Sequence, residues 1–152
     1  MLLSYAQNME DAHLLLAFEG EEPGVYVDVG GGHPVADNVT FALYLAGWRG
    51  LIVEPQDDLA AIYATVRPRD VVETVLVGAE EGSVEFHRVD RLHGFSTTVA
   101  ENARNAGAFG ASFRTETRRM ETVAGLCARH GFATVDVLKV DVEGAEGAVL
   151  AG

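Results

Sequence analysis

The sequence predicts an α/β fold in three layers, a mostly parallel central sheet covered by helices. Three observations carry that expectation. Short apolar runs rich in β-branched residues alternate with stretches of helical periodicity; the first such run ends in three consecutive glycines; and the second ends in an acid followed by proline. Parallel neighbours need crossover connections, and a sheet crossed in this way must be buried on both faces, so alternation of this kind selects the class.

Ser4 to Phe18 reads as a helix, with Ser4 and Gln7, then Asn8 and Asp11, spaced as capping pairs ahead of Met9, Ala12, Leu16 and Ala17. Gly20 to Gly24 breaks it. Val25 to Val29 is the first strand, entering the turn Gly30-Gly31-Gly32. Asp37 or Asn38 caps a second helix bearing Val39, Ala42, Leu43 and Ala46, with Gly47 placed to stop it. Leu51 to Val53 is strand two, closed by Glu54 and Pro55. Asp57 caps a third helix with Leu59, Ile62, Tyr63 and Val66 on one face, ending near Pro68, and Val71 to Val77 is strand three. From Gly78 to Thr117 the pattern loosens into a hairpin strand at Val84 to His87, a loop at Gly94 to Thr98 and a short helix at Val99 to Ala106. A helix over Glu121 to His130, stopped by Gly131, then leads to strand four, Val135 to Val140, and to a last helix starting near Glu143.

At 152 residues the chain suits one domain with one core. The net charge of -12 repels phosphate backbones, and the basic pairs Arg67 with Arg69 and Arg118 with Arg119 are too short to reverse that field, which argues against nucleic acid or an anionic membrane as partner. The plain reading of the acidity is a soluble surface. Cys127 is the sole cysteine, so it makes no internal disulfide and reads as a small core residue. No basic segment precedes a long apolar run, and no run reaches the roughly 18 apolar residues of a membrane span, so a soluble, cytoplasmic protein is expected.

Asp28-Val29-Gly30-Gly31-Gly32 at the end of strand one, with Glu54 at the end of strand two, is the strongest local signal. Glycines let backbone approach a ligand closely, and an acid after the neighbouring strand is placed to accept hydrogen bonds from ribose hydroxyls. An adenosine-bearing cofactor fits that pair. A dinucleotide fingerprint wants a third spaced glycine, but Val35 occupies its place and Pro34 delays the helix whose N-terminus would hold a pyrophosphate. S-adenosylmethionine (SAM) carries no phosphate and suits such a turn better than NAD or FAD; a glycine turn with no ligand is the remaining alternative.

Blocks along the chain extend this. Tyr5-Ala6-Gln7-Asn8-Met9-Glu10-Asp11, Val27-Asp28-Val29-Gly30, Ala46-Gly47-Trp48-Arg49-Gly50-Leu51-Ile52-Val53-Glu54-Pro55, the Gly94-Phe95-Ser96-Thr97-Thr98 loop and Leu138-Lys139-Val140-Asp141-Val142-Glu143-Gly144-Ala145-Glu146 stand in order. Together they resemble the signature blocks of FkbM-type methyltransferases. The resemblance implies a Rossmann-like class I methyltransferase fold, SAM as methyl donor, and O-methylation of a sugar or natural-product hydroxyl. It implies Asp28, Gly30, Gly31 and Gly32 around the methionine part of SAM, Glu54 with Pro55 at the ribose, and Val77 and Gly78 near the adenine. Gln7, Glu10 and Asp11 would close over the cofactor; helix capping and a solvated face are the alternative for these three. The familiar fold continues with further strands after the fourth, so the chain reads as its N-terminal portion with C-terminal strands missing. Strand four would then be an open apolar edge, covered by self-association or by a partner chain.

Asp141 lies at the carboxyl end of strand four, where ligands of open parallel sheets collect, and serves there as a cofactor-side or catalytic residue with Glu143 two positions on. O-methylation needs a base for the substrate hydroxyl, and Asp141, Glu143 and then His33 are the candidates. Glu143 has an alternative role in charging the first turn of the last helix. The two acids form an alternative divalent-ion site, but no metal is predicted. The other functional readings are a non-catalytic cofactor-binding or interaction module derived from such an enzyme and, more remotely, an NAD-dependent oxidoreductase.

Overall fold

The computed structural model describes residues 3–89 and 113–152. The loop expected at Gly94 to Thr98 and the helix at Val99 to Ala106 lie outside the described residues. The chain divides into two compact units, Met1–Thr74 with Phe132–Lys139, and Val75–Gly131 with Val140–Gly152.

The first unit begins with α1 (Glu10–Ala17), shorter than the sequence suggests. Its first-turn acids explain the difference. Asp11, fully buried, accepts from the Ser4 hydroxyl at 2.6 Å and the Tyr5 amide at 2.7 Å, while Glu10 accepts from the Asn8 amide at 2.9 Å. Those bonds fold residues 4–9 into an irregular lead-in instead of a first helical turn. Strand β1 (Val25–Val29) stands where expected. Helix α2 (Phe41–Leu45) starts late because the Asn38 side chain accepts from the Thr40 amide at 3.0 Å and holds the chain in a turn.

Strand β2 (Arg49–Val53), helix α3 (Asp57–Val66) and strand β3 (Val71–Glu73) follow. The sheet runs in the order β3, β2, β1, β7, where β7 is Val137–Val140, and the β1–β2 and β2–β3 pairs are parallel. The fold is therefore α/β with a mostly parallel central sheet. Tyr26, Phe41, Leu43, Tyr44, Trp48, Ile52, Tyr63 and Val137 form the core against its strands and helices. At the end of the order, β7 exposes 44% of Leu138.

Arg67, one of the basic pair Arg67 and Arg69, is fully buried. All five of its N–H donors find acceptors. Nε donates to Asp70 at 2.7 Å, one terminal nitrogen to Asn38 Oδ1 at 3.0 Å and the Pro34 carbonyl at 3.4 Å, and the other to the Tyr26 hydroxyl at 2.9 Å and the Thr40 hydroxyl at 3.0 Å. The rings of Tyr26, Tyr44 and Tyr63 surround the guanidinium with centroids 5.1 to 5.4 Å away.

In the second unit, strand three of the sequence reading is cut short. Leu76–Val77 is a separate strand, β4, running parallel to β6 (Phe113–Glu121), which pairs antiparallel with β5 (Gly82–Val89). Helix α4 (Val123–His130) starts at Thr122, whose hydroxyl accepts from the Gly125 amide at 3.0 Å, and stops at left-handed Gly131. Glu121 therefore ends β6 rather than opening the helix, and its buried carboxylate meets Arg119 at 3.0 Å and also Arg129. Helix α5 is Glu146–Ala151. Among the described residues no helix is long and apolar enough to cross a membrane.

Removing Arg67 would leave the Asp70 charge buried and uncompensated. Arg67→Met is expected to destabilise the first unit by about 3 to 5 kcal/mol, and adding Asp70→Asn to recover part of that loss. Trp48, the sole tryptophan and a core residue of this unit, supplies the fluorescence signal for urea denaturation. A loss below about 1 kcal/mol, the scale of an exposed ion pair, would show that the buried cation is dispensable.

Candidate cofactor site

Parallel register pairs Val29 with Val53, so β1 and β2 end level and the residues that follow them meet. The Gly30 and Gly31 amides both donate to the Val53 carbonyl, at 2.9 and 3.2 Å. The Gly32 amide then donates to the Glu54 carboxylate at 2.8 Å, and the Gln56 amide donates to its other oxygen at 2.9 Å. The glycine turn and the acid after the neighbouring strand are thus one hydrogen-bonded unit.

The three glycines have different reasons to be glycine. Gly30 and Gly32 have φ of 76° and 58°, a backbone region costly for other residues. A Cβ on Gly31 would lie 2.6 Å from Ile52 and 2.8 Å from the Tyr63 hydroxyl, whereas one on Gly32 would meet nothing within 4 Å. Gly31 is therefore held against the core, and open space adjoins Gly32. Tyr63 donates to the Gly31 carbonyl at 2.8 Å, and burial followed by the nearby Asp28 charge pushes its phenol up, keeping it a donor.

Asp28, fully buried, accepts from the Thr40 hydroxyl at 2.7 Å through Oδ2. Its Oδ1 lies 3.1 Å from the Lys139 ammonium and, among the described residues, accepts no hydrogen bond. Lys139 also donates to the Gly30 carbonyl at 2.5 Å. In the sequence Lys139 stands within the block Leu138 to Glu146 with no role of its own; its signal is a charge inside the otherwise apolar run Val137-Leu138-Lys139-Val140. The sequence offers Asn38 only as a helix cap and Tyr63 only as an apolar-face residue, and gives Thr40 no role, since single polar residues carry no motif.

Other candidates are placed less directly. Pro55 follows Glu54 and directs the chain toward α3. His33 is exposed, and its Nδ1 accepts from the Val35 and Ala36 amides at 3.2 and 3.0 Å, which engages that nitrogen in the turn. Gln7 is exposed, and Glu10 and Asp11 hold the lead-in to α1 as described. Val77 and Gly78 belong to the second unit, at the end of β4, where the Gly78 amide donates to the Glu121 carbonyl at 3.0 Å.

Asp141 and Glu143 also lie in the second unit. Glu143 has φ of 54°, an unusual setting for a glutamate, and Gly144 follows at 104°. The Glu146 carboxylate accepts from the Val142 and Gly144 amides at 3.2 and 3.1 Å and steadies this turn. Partial desolvation, then repulsion from Asp141 and Glu146, raises the Glu143 carboxyl above its ordinary value. Among the described residues no three His, Cys, Asp or Glu side chains converge as a metal site.

A mostly parallel sheet with a glycine turn bonded to the acid beyond its neighbouring strand defines an α/β domain of Rossmann-like form. The chain belongs to the FkbM methyltransferase family: the methyltransferase FkbM domain matches residues 28–152, a span that starts at Asp28 and includes Glu54, Lys139, Asp141 and Glu143. No curated protein and no solved structure matches it.

Burial raises the Glu54 carboxyl above its ordinary value, outweighing the hydrogen bonds from the Gln56 and Gly32 amides. A raised folded-state value means that the folded protein favours the neutral acid. The stability this contributes is complete below about pH 4, the ordinary range of the unfolded side chain, and is lost as pH rises through the folded value. Because Glu54→Gln does not titrate, the stability of the wild type relative to that variant is expected to fall on raising the pH from about 4. Urea denaturation across pH measures it, and a difference that grows with pH would contradict the assignment.

Proposed function

We propose that this methyltransferase-family chain uses SAM and transfers its methyl group to a hydroxyl of a sugar or natural-product small molecule. The observation that carries the reading is the 2.8 Å bond from the Gly32 amide to Glu54, which brings a close-approach turn and a carboxylate into one seat. Hydroxyl donors such as a ribose diol suit that carboxylate. A pyrophosphate does not, because Asp28 and Glu54 are both acidic and the turn leads into Pro34 rather than into a helix N-terminus. The open space beside Gly32 supports a ligand seated close against the turn.

When bound, SAM supplies an electrophilic sulfonium methyl. In this reading the turn Gly30-Gly31-Gly32, backed by the buried Asp28 carboxylate, would hold the amino-acid part of the cofactor, and Glu54 would orient the ribose. Glu143 would accept the proton that an acceptor hydroxyl loses on methylation. Its raised carboxyl suits a base better than an ordinary glutamate does. Asp141 is the alternative base.

Isothermal titration with S-adenosylhomocysteine is expected to show binding to the wild type and a loss of about tenfold or more in Glu54→Ala, the scale of a hydrogen bond to a charged group. Tighter binding of NADH would overturn the cofactor assignment. Methyl transfer to a panel of sugars and polyketides is expected to slow by about 10²- to 10⁴-fold in Glu143→Gln while S-adenosylhomocysteine binding persists. An unchanged rate would remove Glu143 as the base, and binding without transfer to any acceptor would favour a non-catalytic module.

A further inference from the structure

Lys139 touches both the buried Asp28 of the site and the backbone of its glycine turn. It stands on β7, the strand beside β1 in the sheet. Its ammonium lies 2.5 Å from the Gly30 carbonyl and 3.1 Å from Asp28 Oδ1, and its side chain is only 18% exposed. Gly30 has φ of 76°, so the peptide that Lys139 grips is the one where the chain leaves the extended path. The amides that follow it all point at β2 and Glu54.

We infer that Lys139 is a positioning residue: by bridging the Gly30 carbonyl and the Asp28 carboxylate it fixes the glycine turn in the form that receives the cofactor. Two physical reasons support this. A fully buried carboxylate needs a charge partner close by, and Asp28 meets its other polar neighbour, Thr40, only through Oδ2. A turn of three glycines, two of them left-handed, also has many alternative conformations, so an anchor on its first carbonyl removes freedom that ligand binding would otherwise have to remove. The inference rests on the cofactor reading for its effect on affinity but not for its effect on the turn, and the two are separable by experiment.

The test compares wild type, Lys139→Met and Lys139→Arg by S-adenosylhomocysteine titration and by amide hydrogen exchange at Gly30, Gly31 and Gly32, with Tyr26 and Val27 of β1 as internal controls. Lys139→Met is expected to exchange faster at the three glycines and not at the controls, and to bind the ligand about tenfold more weakly. Lys139→Arg, which retains a cation, is expected to restore both within about threefold. Faster exchange at the controls as well, with no rescue by Lys139→Arg, would mean a general structural role and overturn the inference. Unchanged exchange in Lys139→Met would also overturn it. If the wild type binds no S-adenosylhomocysteine, the cofactor reading falls, and exchange at the glycines alone decides the positioning role. Should Lys139→Met fail to fold, Lys139→Met with Asp28→Asn leaves no buried charge unpaired, and the same local rise in exchange is then required of it.

Discussion

A guanidinium buried between the end of α3 and the segment that leaves β1 is the constraint on which the first unit depends. Burying a cation costs several kcal/mol unless its hydrogen bonds and charge are met. Arg67 meets them with five acceptors from three parts of the chain, and with three tyrosine rings. Asp70 closes the arrangement, accepting from Tyr26 at 2.7 Å and from the Gly50 amide of β2 at 2.9 Å as well as from Arg67. Shifting any one of these elements strands a buried polar group. The segment from Pro34 to Thr40 has little secondary structure of its own, and this network ties it to the core at three residues.

From that network the order reaches the candidate site by two short routes. Arg67 binds Thr40, and Thr40 binds Asp28. Arg67 also binds Asn38, which donates to the Gly31 carbonyl at 3.0 Å beside the bond from Tyr63. The glycine turn is therefore supported from below by side chains locked in the core, and from β7 by Lys139. A site carried on rigid elements in this way keeps its geometry without a ligand, which lowers the ordering cost of binding. The acids on the two sides of the turn differ in their surroundings: Asp28 has a cation within 3.1 Å, whereas Glu54 is held chiefly by amides, and burial raises its carboxyl.

How far the sequence could be read follows from which forces are local. Val25 to Val29 reads correctly because a short β-branched run ended by glycines has few other uses. Helix α3 reads correctly because its apolar spacing and the proline after it agree. Helix α1 was overextended, since Ser4 and Asp11 look like members of capping pairs but bond each other across a bend. Val71 to Val77 looked like one strand because its apolar run is continuous; the chain uses Leu76 and Val77 to pair with Met120 and Glu121 instead. Strand β6, with the sequence Phe-Arg-Thr-Glu-Thr-Arg-Arg-Met-Glu, carries too many charges to announce itself, and only its antiparallel partner β5 makes it a strand.

The sequence alone determined the α/β class, the glycine turn after the first strand, the acid after the second, and the family. These are properties of order along the chain: periodicity, turn chemistry and blocks in register. Tertiary structure decided that Glu54 bonds the turn through Gly32, that Lys139 reaches Gly30 and Asp28 from 109 and 111 residues away, and that Arg67 lies inside. Each of these depends on strand register and on which face a side chain buries, and no local pattern encodes them, because a buried charge is stable only where distant acceptors have been brought to it.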